Sequence, residues 1–352
     1  MQTSRKRCDR SASNDDFFLS LVDYRNNLFT SYDHTEIIKF FDSFQNKEEL
    51  VEWMRRRPKG AVYVHEVEGD KDIIVVIPTA DFNGKYATEC KDNLFKGLHM
   101  VFVESGEPPD PYFNFAHNAN IGIRKALEYN PKWIIISNDD MYKVEDISLL
   151  IEQLREIDSK KIGSCFLHPE AIYYSRSNSI VRIRSIIRRI VIPLRFLFPG
   201  EIRDTFYVMN KFSSKSTNHY LILENKSRTA SFQYNKALDK IIFTLYDFFF
   251  DKVLEFNDMI AFGIFSSDVL RNFLDKDGFA FDETFINCND DSDISIRVRL
   301  SDYQVTWINF RIGYHLGSTL GWNYARRIRD LASRMYFSWK IENGLYPGLV
   351  HR

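Results

Sequence analysis

One polar cluster in this chain stands where a buried strand is expected to end. Residues 133–137 are apolar up to a final serine, and Asn138, Asp139 and Asp140 follow at once. Carboxylates at the carboxyl end of such a strand lie at the sheet edge where open α/β proteins bind their ligands. They are also hard oxygen ligands for Mg²⁺ or Mn²⁺ bound to a diphosphate. The simpler alternative is a polar turn that caps the next helix.

A second acidic cluster and an isolated histidine lie in the last quarter of the chain. Asp290, Asp291 and Asp293 occur close together, and His315 follows in a His-Leu-Gly-Ser segment. Clustered carboxylates can raise one another's pKa, which helps one of them act as a general base near neutral pH. The alternatives are an acidic first turn of a helix, which suits Asp293, and a structural histidine near the surface.

The composition indicates a globular protein without a general affinity for nucleic acid. The 352 residues carry a formal net charge of −1, and aromatic residues make up 15% of them. Because a nearly neutral chain offers no electrostatic track for a phosphate backbone, we expect no nucleic-acid partner and disfavour a metal nuclease. The four scattered cysteines show no metal-ligand spacing and predict reduced thiols in a cytoplasmic protein.

The first half of the chain alternates between apolar runs and amphipathic segments. Runs at residues 73–77, 99–103 and 133–137 predict buried strands, and the segments between them have the spacing of helices. Strands that are apolar on both faces and separated by helices form a parallel sheet with right-handed crossovers. Thr79 follows the first run and Glu104 the second, so the sequence predicts one crevice lined by three strand ends.

The same pattern divides the chain into three parts. Residues 1–70 are expected to be a helical extension, of which about the first 15 are disordered. An α/β domain is expected over 71–320, with a basic insert at 170–250 where the alternation is lost. A C-terminal helix and tail are expected over 321–352.

Several segments occur in a characteristic order. They are Ile73-Ile74-Val75-Val76-Ile77-Pro78-Thr79, Val101-Phe102-Val103-Glu104-Ser105-Gly106, Asn120-Ile121-Gly122, Ile135-Ile136-Ser137-Asn138-Asp139-Asp140, Phe281-Asp282-Glu283-Thr284-Phe285, Asp290-Asp291-Ser292-Asp293-Ile294, Arg297 and His315-Leu316-Gly317-Ser318. Together they resemble the family 2 glycosyltransferases, most closely their rhamnosyltransferase-like branch, over most of the chain. The resemblance implies the GT-A fold, a mixed and mostly parallel sheet flanked by helices.

By this resemblance, the first acidic cluster and the histidine would hold the diphosphate of a sugar donor. Asp140 would bind a Mg²⁺ or Mn²⁺ ion, and His315 would be a further metal ligand. Asn138 and Asp139 would contact the ribose, the donor sugar or the metal. The expected cofactor is therefore a divalent cation, and the expected partner is a nucleotide-diphosphate sugar.

The resemblance also implies which residues meet the nucleobase and the acceptor. Thr79 would line the nucleobase pocket, and Glu104 would hydrogen-bond the base where relatives carry an aspartate. In an inverting transfer, Asp291 would take the proton of the acceptor hydroxyl, and Asp290 would orient it. The acceptor is expected to be a glycan, a lipid-linked molecule or a protein.

The insert contains a basic segment, residues 176–203, with seven arginines and one acidic residue. Its isoleucines fall on one side of a helix and several arginines on the other. Such a helix suits peripheral contact with an anionic membrane surface. The commoner alternative is an amphipathic helix packed on the domain. The sequence therefore predicts a cytoplasmic protein, located at the inner face of the membrane if this segment binds there.

Other functions fit parts of the pattern. A sugar-nucleotide pyrophosphorylase has a related core, but it carries a Gly-rich basic loop after the first strand, where this chain has Gly84 alone. A degenerate domain could bind a nucleotide sugar, or tether to a membrane, without turnover. The leading prediction is a metal-dependent, inverting glycosyltransferase of the hexosyltransferase type, and the degenerate domain is the alternative.

Overall fold

The computed structural model describes most of the chain on either side of the basic insert. The described residues are 24–30, 36–106, 112–167, 172–174, 207–208, 211–212, 221–223, 261–286, 288–315, 324–346 and 349–351. The expectation of disorder in the first 15 residues and that of an amphipathic helix at 176–203 lie outside them. Among the described residues, no helix is long and apolar enough to cross a membrane.

The strands and helices are numbered in chain order. The strands are β1 (Val62–Val67), β2 (Asp70–Thr79), β3 (Leu98–Ser105), β4 (Trp133–Ser137), β5 (Met141–Lys143), β6 (Ile162–Leu167), β7 (Ile172–Tyr174), β8 (Leu221–Leu223), β9 (Phe262–Ser266), β10 (Gln304–Ile308), β11 (Ile312–Tyr314) and β12 (Leu349–His351). The helices are α1 (24–30), α2 (Glu36–Asp42), α3 (Lys47–Arg56), α4 (Lys85–Glu89), α5 (Phe115–Leu127), α6 (Ile147–Glu156), α7 (Ser267–Asp277), α8 (Asp290–Leu300) and α9 (Tyr324–Glu342).

Seven of the described strands form the central sheet, in the order β1-β3-β2-β4-β9-β6-β10. Strands β3, β2 and β4 are parallel neighbours, and β10 is parallel to β6. Strand β9 runs antiparallel to both β4 and β6, and β1 runs antiparallel to β3. The described part of the chain is therefore α/β, with a mixed, mostly parallel sheet flanked by helices and a Rossmann-like arrangement. That level of the fold prediction is confirmed.

The inner strands are apolar throughout because both of their faces are buried. In β2, Ile73, Val75 and Ile77 face a core shared with α4 and α6. Ile74 and Val76 face the opposite core, which α5, α7 and α8 cover. This two-sided burial is why the sequence of each inner strand is a continuous apolar run and does not alternate.

The two ends of the chain build one helical layer beside the sheet. Helices α1, α2 and α3 pack with α9 around a shared apolar cluster. The Lys47 ammonium pairs with the Glu342 carboxylate at 2.8 Å, and the Arg55 guanidinium lies 4.6 Å from the Trp339 ring centre. The segment expected to be a helical extension also contributes strand β1 to the sheet. Residues expected to be a C-terminal tail form β12, which pairs with β8 of the insert.

Two buried asparagines, one at the N-cap of α5 and one within the helix, hold the segment that precedes α8. Asn114 caps α5, since its side-chain oxygen accepts from the His117 N–H at 2.9 Å, and its amide donates to the Glu283 carbonyl at 2.9 Å. The Asn120 side chain accepts from the Phe281 N–H at 2.9 Å and donates to the Phe281 carbonyl at 2.8 Å. These bonds satisfy buried backbone groups that no strand or helix pairs.

A buried network of charged groups joins α9 to α8. The Lys340 ammonium donates to Asp282 at 2.8 Å and to Asp293 at 2.5 Å. The Tyr336 hydroxyl donates to Asp282 at 2.7 Å, and the Tyr346 hydroxyl donates to Asp293 at 2.6 Å. Burial opposes ionisation of Asp282, but the charge and hydrogen bond of Lys340 lower the pKa of this carboxyl.

Replacement of Lys340 with methionine is expected to destabilise the protein by about 3–5 kcal/mol, because it leaves the buried Asp282 carboxylate without its paired cation and Asp293 with only the Arg297 guanidinium, 3.6 Å away. Urea unfolding followed by circular dichroism measures the change. The matched control on the same helix is Arg334→Ala, which removes an exposed pair with Asp330 and should cost no more than about 1 kcal/mol. Equal losses in the two variants would show that the buried network contributes little.

Candidate functional site

The ends of β2, β3 and β4 meet at the carboxyl edge of the sheet, as the sequence predicts. The Thr79 hydroxyl donates to an Asp139 carboxylate oxygen at 2.7 Å, so the end of β2 is tied to the turn after β4. The Ser105 hydroxyl at the end of β3 donates to the Thr79 carbonyl at 3.2 Å. Asn138 lies on the same edge, where its N–H donates to the Ala261 carbonyl at 2.9 Å.

Asp139 forms hydrogen bonds with other residues of the protein at this edge. Burial raises the pKa of its carboxyl, and the Thr79 hydroxyl and the Ala80 N–H act in the opposite direction by hydrogen bonding to it. The Cys90 thiol also donates to the Asp139 carbonyl at 3.3 Å. These contacts make Asp139 the link between two strand ends, and they hold the residue after it, Asp140, on a rigid support.

Glu104 has a protein partner at each of its carboxylate oxygens. One accepts from the Phe82 N–H at 3.0 Å, and the other lies 2.7 Å from the His65 ring nitrogen Nε2. The hydrogen bond from Phe82, with that from His65, lowers the pKa of Glu104. The His65 and Phe82 rings are stacked, with centres 4.3 Å apart. Contact between Glu104 and a nucleobase stays a prediction. His65 was not among the predicted site residues, because strand β1, which carries it, was not predicted.

A small sheet brings Asp140 and His315 together. Strand β11 pairs antiparallel with β5, and Tyr314 lies opposite Met141. One position further along, the His315 N–H donates to the Asp140 carbonyl at 2.8 Å. Because β5 begins directly after the end of β4, this pairing carries the histidine to the carboxyl edge of the central sheet. The two residues predicted to share a metal ion are thus adjacent.

The surroundings of His315 suit a metal ligand. Its ring lies 4.5 Å from the Tyr142 ring and 5.6 Å from the Tyr86 ring, measured between centres. Burial, followed by the charge of Lys85, lowers the pKa of His315, so the imidazole is neutral at physiological pH and its lone pair can bind a cation.

A carboxylate and an imidazole form a donor set that Mg²⁺ or Mn²⁺ accepts. Among the described residues, no group of three or more His, Cys, Asp or Glu side chains is placed to hold a metal ion. Mg²⁺ is often bound by one or two protein ligands together with substrate phosphates and water. The pair formed by Asp140 and His315 therefore fits a cation that arrives with a diphosphate.

The second acidic cluster forms the first turn of α8, and its three carboxylates have different surroundings. Asp290 is buried, and burial, followed by the charge of Asp291, raises its pKa to about 8. Asp293 is fully buried and bound to Lys340. Asp291 is partly exposed and accepts from the Ser292 N–H at 2.8 Å. All three acids lie in the first turn of a helix, as the alternative reading expects, but Asp293 is buried and paired and is not a solvated acid.

The topology directs the start of α8 towards the carboxyl edge. Helix α8 ends three residues before β10, and Gln304 of β10 lies opposite Ile162, the first residue of β6. Strand β10 therefore starts at the amino edge, because β6 has the same direction as β4. The eleven residues of α8 span about 16 Å, so its acidic first turn lies towards the other edge. The two acidic clusters thus approach one edge from opposite faces of the sheet.

Asp290→Asn is expected to stabilise the protein above pH 8 and to change it little near pH 4. The folded protein keeps the Asp290 proton up to about pH 8, whereas the unfolded chain releases it near pH 4. The stability of the native protein therefore falls as the pH rises through this window, and an uncharged asparagine avoids the loss. Melting temperatures at both pH values, with Asp302→Asn as an exposed control, measure it. A lower melting temperature for the variant above pH 8 would contradict the raised pKa, because it would mean that the ionised Asp290 carboxylate stabilises the folded protein.

Comparison with known proteins assigns no family to this geometry. No protein-family model matches the chain, and no curated protein matches it. The roles that the motifs imply for the residues at the carboxyl edge therefore stay predictions, supported by their chemistry and placement.

Proposed function

We propose that this protein is a metal-dependent, inverting glycosyltransferase with a GT-A fold. It moves a sugar from a nucleotide-diphosphate donor to an acceptor hydroxyl. The observation that carries the proposal is the 2.8 Å hydrogen bond from the His315 N–H to the Asp140 carbonyl. The bond brings two residues from distant parts of the chain side by side, at the edge where α/β enzymes bind nucleotides, and both have side chains able to bind a divalent cation.

The donor's diphosphate is held at the end of β4. Asp140 and His315 are the residues that would bind Mg²⁺ or Mn²⁺, and the ion would offset the charge that develops on the departing diphosphate. The hydrogen bond between Thr79 and Asp139 keeps the turn in place during the reaction. Asn138 stands beside them and would contact the ribose or the donor sugar.

The acceptor is activated from the opposite face of the sheet. Asp291 takes the proton of the acceptor hydroxyl while that oxygen attacks the anomeric carbon and the bond from this carbon to the diphosphate breaks. Asp290 keeps its own proton at neutral pH, so it adds no second negative charge beside the base. The neutral neighbour and the backbone N–H of Ser292 orient the Asp291 carboxylate.

Asp140→Asn is expected to abolish stabilisation of the protein by Mn²⁺ and a nucleoside diphosphate. A ligand mixture at one hundred times its dissociation constant stabilises the native protein by about 2.7 kcal/mol, and loss of a ligand carboxylate removes most of this gain. Melting temperatures with and without Mn²⁺ and UDP, GDP or dTDP measure it. Asp92→Asn removes an exposed carboxylate elsewhere and serves as the control. An unchanged ligand-induced shift in Asp140→Asn would remove this residue from the donor site.

Asp291→Asn is expected to lower kcat for sugar transfer by about 10²–10⁴-fold and to leave donor binding unchanged, because the amide cannot accept the proton. Transfer is measured by release of the nucleoside diphosphate, and donor binding by calorimetry. Asp302→Asn, just beyond the other end of α8, removes an exposed carboxylate as the control. A kcat within tenfold of the wild-type value would assign the base to another group.

A nucleotide-sugar-binding domain without turnover is the second candidate. The engagement of both Glu104 oxygens by Phe82 and His65 favours it, since the residue expected to meet the base already has partners. Donor hydrolysis with Mn²⁺ separates the two candidates. Donor binding without hydrolysis or transfer to any acceptor would favour the second.

A further inference from the structure

A cavity of about 310 Å³ lies between the end of α3 and the segment that precedes α8. Its charged lining consists of Arg55 and Lys59 from one side and Asp282 and Glu283 from the other, and Phe279 supplies an aromatic wall. The volume is at the lower end of the range typical of small-molecule sites.

The cavity lies beside the carboxyl edge of the sheet. Lys59 precedes β1 by two residues, and Val62, the first residue of β1, lies opposite Ser105 at the end of β3. The Gly106 N–H donates to the Ala61 carbonyl at 3.0 Å and fixes this connection. On the other wall, Glu283 belongs to the segment that leads directly into Asp290 and the rest of the acidic first turn. Asp282 of the cavity lining and Asp293 of the acidic first turn both bind the Lys340 ammonium, so a molecule in this cavity lies near the second acidic cluster.

The two cationic side chains of the cavity, Arg55 and Lys59, have N–H groups that can donate hydrogen bonds to a ligand. Among the described residues, neither Arg55 nor Lys59 forms an ion pair. Arg55 lies over the Trp339 ring, and Lys59 donates to the Arg57 carbonyl at 3.1 Å. Burial, followed by the charge of Arg57, lowers the pKa of Lys59. A ligand oxygen that accepts a hydrogen bond would compensate this partly desolvated ammonium.

The carboxylates are held in place from behind. One Glu283 oxygen accepts from Asn120 at 2.9 Å, and the other lies 3.0 Å from Nδ1 of His117. Asp282 is bound to Lys340. Each Glu283 oxygen keeps a second lone pair, and so does the Asp282 oxygen Oδ1, which accepts from the Thr284 N–H at 3.0 Å; the other Asp282 oxygen already accepts from Lys340 and Tyr336. Both residues can therefore accept a further hydrogen bond from a ligand. The four charges in the lining cancel formally, which disfavours an anion.

We infer that this cavity binds a neutral sugar ring of the acceptor. Sugar hydroxyls donate and accept at once, so they suit a lining that offers cationic donors, rigid carboxylate acceptors and the Phe279 ring for the apolar face of the sugar. The inference rests on the proposed function. It goes further by naming a carbohydrate acceptor and by giving the N-terminal helices a part in binding it.

Binding is tested with the full-length protein and neutral methyl hexosides, using saturation-transfer difference NMR in the presence of EDTA. The chelator removes divalent cations, so the donor site does not contribute. Arg55→Ala and Lys59→Ala are each expected to weaken binding by about tenfold, the loss typical of one charge-assisted hydrogen bond. Arg56→Ala is the matched control, because Arg56 is adjacent and equally charged but pairs with Glu52 at the surface. It should bind like the wild type.

Three results would overturn the inference: no methyl hexoside binding to the wild type, equal weakening in Arg56→Ala, or inorganic phosphate displacing the hexosides at lower concentration.

Asp140→Asn separates this inference from the proposed function. The variant should bind methyl hexosides normally while losing Mn²⁺-dependent donor binding. If hexosides bind at this cavity but no donor binds to the wild type, the proposed transfer fails while the sugar site stands. In an active enzyme, Lys59→Ala should raise the acceptor KM by about tenfold and leave the donor KM unchanged.

Discussion

The buried ion pairs of Lys340 are the interactions on which the positions of α8 and of the cavity wall depend. The ammonium holds Asp282 of one segment and Asp293 of α8 at hydrogen-bond distance, with tyrosine hydroxyls completing the network. The helix that carries this lysine packs on the N-terminal helices, so both ends of the chain meet around it. Because an unpaired buried carboxylate is costly, the network restricts where α8 can begin. The position of Asp291 and the wall of the cavity follow from that restriction.

The three carboxyl groups of one short acidic segment differ in charge state and exposure because their surroundings differ residue by residue. Asp293 faces the buried lysine and stays in the interior. Asp290 is buried, no described residue forms an ion pair with it, and it keeps its proton near neutral pH. Asp291 lies between them, partly exposed. The motif resemblance distinguishes the three residues only by their order in the chain, since their side chains are chemically identical. Burial and the nearest charge decide which carboxyl is neutral, which is paired and which can accept a proton.

Two separate structural elements bring the candidate residues to the carboxyl edge of the sheet. The apolar strands β2 and β4 hold Thr79 and Asp139 in contact, and the small sheet of β5 and β11 adds His315 next to Asp140. The first arrangement was expected from the apolar runs and their polar ends. The second was expected only through the resemblance of motifs, because no local pattern predicts that β11 pairs with β5. Strand β1, the contact between Glu104 and His65, and the cavity were not predicted from the sequence. Each of them depends on contacts between residues far apart in the chain.

The apolar runs were enough to predict the α/β class, the strands β2, β3 and β4 and the polar residues at their ends, because two-sided burial demands continuous apolar runs with helices between them. The inner strand β6 was not predicted. The sequence also indicated the residues able to bind a cation or accept a proton. Three features became apparent from the folded structure alone: β9 runs antiparallel, helices α1 to α3 share one layer with α9, and Lys340 lies between two acids. These outcomes depend on packing and desolvation between distant segments, and neither leaves a periodic signal in the local sequence.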